Sequence, residues 1–134
     1  MEYLRHVHYH ETDQMGVVHH SNYVKWMEEA RIEFLNKVGI SYKMMEMEGI
    51  IYPVVSINVN YKSPAHFDDD ILIKLWVKRY NGSKIEFNYE MYNQDNVLVC
   101  SAESMHCFIK DNKVITLRRD YLKYHNEFIK YVSE

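Results

Sequence analysis

Residues 9–31 read YHETDQMGVVHHSNYVKWMEEAR, and this segment is more informative about function than the rest of the chain. A polar loop containing Asp13 comes first, and a turn at Gly16 and an apolar pair, Val17 and Val18, follow it. A His-His-Ser-Asn stretch then leads directly into a sequence with helical periodicity. The segment therefore predicts a loop that ends at the N-terminus of a helix, with a carboxylate facing that terminus.

The predicted helix has apolar residues at the spacing of one helical face. They are Tyr23, Trp26, Met27, Ala30, Phe34 and Val38. Ser21 or Asn22 suits the N-cap position, because a short polar side chain accepts a hydrogen bond from a free backbone N–H group there. Gly39 suits the left-handed residue that ends a helix. We expect a helix of about 17 residues, roughly 25 Å long, whose aromatic stripe lies in the core.

Beyond Gly49 the period of the pattern changes to two, which is typical of half-buried strands. The alternating segments are 54–61, 71–79, 85–92 and 97–109. Residues 3–9 also alternate, and weaker helical patterns cover 41–48 and 118–132. Strict alternation favours an antiparallel sheet with one buried face. The order of elements predicts an α+β fold in which an antiparallel sheet wraps around one long helix.

Composition limits the possible functions and locations. A chain of 134 residues fits a single domain over 1–134, and its net charge of −3 argues against nucleic-acid binding. Cys100 and Cys107 are an odd number of positions apart in one predicted strand, so they face opposite ways and are not expected to form a disulfide. Without a disulfide framework or an apolar run of about 18 residues, we expect a cytoplasmic protein with no stable membrane insertion.

A carboxylate beside a helix N-terminus suits the hydrolysis of an activated acyl group. The unpaired N–H groups and the positive end of the helix dipole stabilise a developing oxyanion. Asp13 would then act either as a general base on water or as a nucleophile. An isolated Asp in such a loop more often forms an Asx turn, so the residues alone leave a structural role open.

The segment resembles the hotdog-fold acyl-CoA thioesterases of the 4-hydroxybenzoyl-CoA thioesterase family, particularly the type associated with the Tol-Pal system. That family has an acidic loop, D-x-x-G-[IV]-V-[YFH]-[HYP]-x-N-Y, followed by an aromatic helix ending in E-x-A-R. The matching residues are Asp13, Gly16, Val17, Val18, His19, His20, Asn22, Tyr23, Glu28, Ala30 and Arg31. Residues 61–69, YKSPAHFDD, match a second family feature, a strand followed by a P-A-x-x-D-D turn. The order of elements agrees from about residue 3 to residue 110.

The resemblance implies a cofactor-free enzyme that cleaves acyl-CoA into a carboxylate and CoA. Asp13 falls on the family's catalytic carboxylate, and the backbone N–H of His20 falls on its oxyanion donor. The positions that line or support the pocket are Gly16, Val17, His19, Asn22, Tyr23 and Trp26. Arg79 and Lys84 flank the turn that contacts CoA phosphates, although YNGSK lacks the Arg-Arg-Lys run of some members. A single small sheet-and-helix unit offers little concavity around residue 13, so we expect the active site at a subunit interface and a homodimer as the minimal unit. The resemblance also allows a tetramer of two dimers.

Other interpretations predict different chemistry. A non-catalytic acyl-CoA-binding hotdog module would have the same pocket without turnover, and a hotdog dehydratase would need a His-acid pair that the sequence does not place. His6, His8 and His10 alternate on a predicted strand, but such neighbours are about 6.5–7 Å apart, so no metal site is expected. Glu28 is a reserve candidate for the catalytic acid, because related hotdog enzymes use a helix Glu; its alternative is a surface pair with Arg31.

Overall fold

A five-stranded antiparallel sheet packed against one long helix dominates the computed structural model, which describes residues 1–132. The elements are β1 (Glu2–His6), α1 (Ser21–Lys37), α2 (Tyr42–Met47), β2 (Val54–Tyr61), β3 (Asp70–Tyr80), β4 (Lys84–Tyr92), β5 (Leu98–Cys107), β6 (Ile109–Lys110), β7 (Lys113–Val114), α3 (Leu117–Asp120) and α4 (Leu122–Ile129). A 3-10 turn, Tyr9–Glu11, separates β1 from α1. The strand order is β1-β3-β4-β5-β2, and β6 and β7 form a separate ribbon. This is the α+β architecture that the alternation predicted.

The core lies between α1 and the inner face of the sheet. Alternate side chains of β3 and β4 are buried on that face, namely Ile71, Ile73, Leu75, Val77, Ile85, Phe87, Tyr89 and Met91. From α1, Trp26 and Met27 are fully buried, and Tyr23 and Phe34 are 3% exposed. Full burial of one such apolar side chain contributes about 1.5–3 kcal/mol. The aromatic stripe of α1 is therefore core, as its spacing predicted.

The start of α1 differs from the predicted capping arrangement. Ser21 is the first helical residue, and His20 occupies the N-cap position with φ −55° and ψ −29°. The Ser21 hydroxyl lies 2.8 Å from Nδ1 of His19, and the Asn22 amide donates to the carbonyl of Glu11. Neither side chain caps the helix, because each has a partner in the preceding loop. Gly39 follows the helix with φ +82°, a conformation that favours glycine.

The predicted N-terminal strand ends early, at His6, because Tyr9–Glu11 turn the chain. His6, His8 and His10 therefore do not share one strand face, contrary to the expectation. Each ring nitrogen of His6 lies 2.7 Å from a carboxylate oxygen of the β2–β3 connection or of β3. Within residues 1–132, no group of His, Cys, Asp and Glu side chains has a metal-binding arrangement.

The C-terminal segment forms two short helices, α3 and α4, where one helix over 118–132 was expected. Tyr121 separates them with φ −141° and ψ 61°, which is not helical. Tyr124, His125 and Phe128 are buried on α4. No helix within residues 1–132 has both the length and the apolarity needed to cross a bilayer.

A directed series of hydrogen bonds crosses the core. A guanidinium N–H of Arg31 donates to the Tyr89 hydroxyl (3.2 Å), which lies 2.6 Å from the Ser104 hydroxyl. Ser104 lies 2.8 Å from Nε2 of His106, whose Nδ1 lies 3.2 Å from the carbonyl of Tyr52. Because a carbonyl only accepts, Nδ1 carries the proton of a neutral imidazole and Nε2 accepts from Ser104. The two ends of the series therefore fix the direction of every bond.

His106 should make the stability of the protein depend on pH. Burial, and next the charge of Arg31, lower the pKa of His106 to about 4. Between pH 6.5 and about 4, His106 binds a proton in the unfolded chain but not in the folded protein. The free energy of unfolding therefore decreases as the pH is lowered, by about 3 kcal/mol in total. We expect His106→Gln to be less stable than wild type at pH 7, and the difference to shrink by about that amount at pH 4. Urea unfolding of both proteins at the two pH values measures this difference in stability. An equal difference at pH 7 and pH 4 would contradict the lowered pKa of His106.

Candidate active site

An open cleft of about 400 Å³ lies where the Asp13 loop, the start of α1 and the end of β2 meet. Its lining residues are Asp13, Val17, Val18, His19, His20, Tyr23, Tyr61, Lys62, Ser63 and Pro64. Five of the predicted site residues are among them, namely Asp13, Val17, His19, His20 and Tyr23. The fold thus brings the predicted carboxylate and the predicted oxyanion donor to one surface.

The Asp13 loop holds one carboxylate oxygen and leaves the other free. The Asp13 N–H donates to the carbonyl of Val17 (2.8 Å), and the Gly16 N–H donates to the carbonyl of Asp13 (3.0 Å). Gly16 does not line the cleft but permits the turn, since its φ of +77° favours glycine. Oδ1 accepts from the N–H groups of Met15 (2.8 Å) and Val17 (3.3 Å). Oδ2 has no donor within residues 1–132, so the turn that orients Asp13 leaves one oxygen for chemistry.

The residue that precedes the first turn of α1, His20, lines the same cleft and has a free backbone donor. The N–H of His19 donates to the carbonyl of Glu11 (2.9 Å), and that of Asn22 donates to the carbonyl of His19 (3.0 Å). In the described part of the chain, the N–H of His20 between them has no acceptor. It stands at the positive end of a 17-residue helix, where a negative oxygen is stabilised.

Aromatic rings form one wall of the cleft. The Tyr61 hydroxyl donates to the carbonyl of His20 (3.2 Å), and its ring packs edge-to-face on Tyr23 at 5.2 Å between centroids. The rings of His19 and His20 lie 4.2 Å apart. Burial raises the pKa of Tyr23 to about 12, so its hydroxyl keeps its proton at neutral pH. Tyr61 was missed as a site residue, although it begins the YKSPAHFDD segment.

The connection from β2 to β3 supplies another part of the cleft lining, through Lys62, Ser63 and Pro64. It is held against the Asp13 loop by the N–H of Val18, which donates to the carbonyl of Ala65 (2.8 Å). The family resemblance identified this turn but gave it no role in the site. Its contribution depends on pairing between two loops distant in sequence, which local patterns do not reveal.

Three predicted residues of α1 lie outside the cleft. Asn22 and Trp26 are buried behind it and bond to Glu11, so they support the loop and do not face a substrate. Glu28, the reserve candidate, is exposed elsewhere on α1. The expected surface pair of Glu28 with Arg31 is wrong, because Arg31 is buried and its guanidinium bonds to Tyr89.

Arg79 and Lys84 line a second cleft, of about 470 Å³, beside the turn between β3 and β4. Lys78 adds a third cation, although it also pairs with Glu103 at 3.0 Å. This turn lies at the far end of the sheet from Asp13, because Val17 of the Asp13 loop pairs with His66, just before β3, and β3 then runs for about 30 Å. Within one protomer, the predicted phosphate contacts and the predicted catalytic group are therefore well separated.

Comparison with known proteins gives consistent matches over most of the chain. The model of the thioesterase-like superfamily matches residues 7–123. YneP of Bacillus subtilis (strain 168) is 39% identical over 126 residues, or 92% of this chain and 91% of that protein. The acyl-CoA thioester hydrolase YbgC of Escherichia coli O157:H7 is 33% identical over 97 residues, or 72% of each chain.

Solved structures show the same architecture. The DHNA-CoA thioesterase from Staphylococcus aureus superposes with a TM-score of 0.93 at 35% identity, over 96% of this chain and 88% of that one. The agreement confirms the hotdog fold that the resemblance implied. On its sequence and its fold together, the chain belongs to the thioesterase-like superfamily.

Proposed function

We propose that this protein hydrolyses acyl-CoA thioesters, with Asp13 as general base or nucleophile and the His20 N–H as oxyanion donor. Relatives named as an acyl-CoA thioester hydrolase and as a DHNA-CoA thioesterase support the reaction. The observation that carries the proposal is that Asp13, with one unpaired carboxylate oxygen, and His20, with an unpaired N–H, line the same cleft. Neither group needs a cofactor to act.

The reaction begins with the thioester carbonyl oxygen hydrogen-bonded to the His20 N–H. In the general-base route, Asp13 takes a proton from water as the water oxygen bonds to the carbonyl carbon. In the nucleophilic route, Asp13 itself bonds to that carbon, and water later cleaves the anhydride. In both routes the C–S bond breaks and the CoA sulfur leaves as a thiolate that takes up a proton. The negative charge on the oxygen develops where the helix terminus stabilises it.

The competing function is a non-catalytic acyl-CoA-binding module. It would use the same cleft and the same aromatic wall, but it would need no free carboxylate oxygen beside the helix terminus. The unpaired Oδ2 of Asp13 therefore favours catalysis over binding alone.

We also propose a cytoplasmic enzyme acting as one domain over 1–134. Cys100 and Cys107 are free thiols, which suits the reducing cytoplasm.

A homodimer is the proposed functional unit, and the edge strand β2 supports it. Ile57 and Tyr61 pair with the buried Ser104 and Cys100 of β5, so they face the helix side of the sheet. They are nevertheless 41% and 51% exposed, because the described part of the chain covers them only in part. Val54–Tyr61 carries no Lys, Arg or Pro, the residues that usually block edge pairing. Antiparallel pairing of β2 with β2 of a second subunit would extend the sheet and cover Ile57 and Tyr61. Two such dimers would form a tetramer.

That dimer would also complete the acyl-CoA site. Antiparallel pairing reverses one sheet relative to the other, so the Tyr61 end of β2 meets the Val54 end of the copy. Arg79 and Lys84 lie at the Val54 end of each sheet, as the registers of β2, β4 and β5 show. Arg79 of the partner subunit would then lie about four strand spacings from Tyr61, or about 19 Å. We propose that one subunit holds the CoA phosphates while the other cleaves the thioester.

Asp13→Asn tests the catalytic carboxylate. Asn retains an oxygen that accepts from Met15 and Val17, so the loop should keep its shape, while the charge is lost. We expect turnover to fall about 10²- to 10⁴-fold, the usual contribution of a general base, with unchanged circular dichroism and oligomeric state. Thiol release from short, long-chain and aryl acyl-CoAs measures it. Wild-type turnover in the variant would return Asp13 to a structural role; acyl-CoA binding without turnover in both proteins would favour the binding module.

His20→Pro tests the backbone donor directly. Proline lacks the N–H but accepts the φ of −55° found at this position. We expect kcat to fall about 10²- to 10³-fold, as for the loss of one oxyanion donor. The matched control is His20→Ala, which removes the ring but keeps the N–H, and its loss should be under about tenfold. Equal losses in two folded variants would assign the effect to the side chain.

Co-expression of two defective chains tests the shared site. One chain carries Asp13→Asn and the other carries Arg79→Ala with Lys84→Ala, each with its own affinity tag. The purified heterodimer should contain one intact site, so it should recover roughly half the wild-type kcat with a wild-type KM. Both mutant homodimers, purified in the same way, serve as controls. A heterodimer no better than the homodimers would place the phosphate contacts and Asp13 of one site in the same subunit.

A further inference from the structure

Glu11 is a buried carboxylate that the proposed reaction does not use. Its side chain is enclosed behind the cleft, and the residue is 2% exposed. Oε1 accepts from the backbone N–H of His8 (2.7 Å) and from Arg5 (3.0 Å). Oε2 accepts from a second guanidinium N–H of Arg5 (2.7 Å) and from the indole N–H of Trp26 (2.8 Å). Each oxygen therefore has two donors, and the side chain joins β1 to the second turn of α1.

The backbone carbonyl of Glu11 joins the same loop to the first turn of α1. It accepts from the N–H of His19 (2.9 Å) and from the side-chain amide of Asn22 (2.8 Å). His19 directly precedes the proposed oxyanion donor His20, and Glu11 lies two residues before Asp13. Asp13 is thus two residues from Glu11 itself, and His20 is one residue from the N–H group that Glu11 binds.

From this arrangement we propose that Glu11 is a positioning residue, which sets the placement of Asp13 relative to the His20 N–H. The inference rests on the proposed function. By accepting the N–H of His19, Glu11 leaves that of His20 as the free donor. A shift of about 1 Å in such a geometry can reduce the rate about 10²-fold. Glu11 does not line the cleft, so it acts through its neighbours and not on the substrate.

The negative charge of Glu11 is part of this role. Burial opposes ionisation, but the donors from His8, Trp26 and Arg5 outweigh it and hold the pKa of Glu11 below its usual value. Arg5 also donates to Glu29 on α1 at 2.9 Å. With all four acceptor positions occupied, the carboxylate has one orientation and fixes the loop in one place.

Glu11→Gln tests the proposal because it keeps the shape of the side chain and replaces one oxygen with an NH₂ group that cannot accept. Two of the four donors then lose their acceptor, and the loop should shift. We expect kcat to fall about 10- to 10²-fold, with KM for acyl-CoA within about twofold and with a cooperatively unfolding protein. Trp26→Phe, which removes one donor and leaves a smaller aromatic ring in the core, should give a smaller loss of the same kind. It also serves if Glu11→Gln does not fold.

The matched control is Glu29→Gln, which alters the same network at Arg5 without touching the Asp13 loop. It should lower the melting temperature while leaving kcat unchanged. If Glu29→Gln lowered kcat as much as Glu11→Gln, the effect would be general destabilisation and the proposal would be wrong. A Glu11→Gln enzyme with wild-type kcat would overturn it as well.

A double-mutant cycle separates positioning from an independent effect. If Glu11 acts by placing the His20 N–H, then Glu11→Gln should cost less in the His20→Pro background than in wild type, since no donor remains to be misplaced. Losses that multiply fully would contradict the proposal. The wild-type enzyme and Asp13→Asn are assayed beside these variants. Active wild type and inactive Asp13→Asn keep the proposed function even where the Glu11 inference fails, whereas inactivity of wild type on every acyl-CoA removes both.

Discussion

The burial of α1 against the inner face of the sheet is the constraint on which the rest of the protein depends. Trp26, Met27 and Ala30 have no exposed surface, so the helix cannot slide or rotate without uncovering them. Close-packed interiors tolerate little such movement. With the helix fixed along its length, its N-terminus is fixed at one end of the sheet, beside the loop from β1. A surface site is thus placed by an apolar core.

Apolar packing alone does not specify where a loop meets a helix end, and buried polar groups supply that detail. Glu11 joins the loop to Arg5 and Trp26 through its carboxylate and to His19 through its carbonyl. A buried carboxylate such as that of Glu11 is energetically costly unless each of its oxygens accepts hydrogen bonds. Arrangements in which the loop is displaced would leave charge unpaired in the interior. The polar network therefore selects one placement of the loop among those that the apolar core permits.

Local periodicity predicted the strands and the long helix well, because each pattern reports which face of an element is buried. It could not show what buries that face: Ile57 alternates as a core residue does, yet within one protomer it is 41% exposed. Capping at Ser21 failed for a similar reason, since a partner in the preceding loop competes for the side chain. Glu11 gave no signal in the sequence, because its burial depends on Arg5 and Trp26, which only the fold brings together. The resemblance identified Asp13 and His20, which line one cleft in the structure. It did not identify the contacts between loops that are distant in sequence.

The cleft and the β2 edge are open on the same side of the protomer, and this coincidence connects assembly to chemistry. Tyr61 belongs to both: its ring lines the cleft, and its strand offers unpaired backbone groups for pairing. Exclusion of water strengthens the interaction of a helix-terminal N–H with a developing oxyanion. In the proposed dimer, the same pairing would remove the apolar edge from water, narrow the cleft beside Asp13 and bring the partner's basic turn to about 19 Å from Tyr61. A protomer that covered its own β2 edge would be more stable as a monomer, but it would lose the second subunit's contribution to the site. An exposed β2 edge is therefore consistent with a site shared between two subunits.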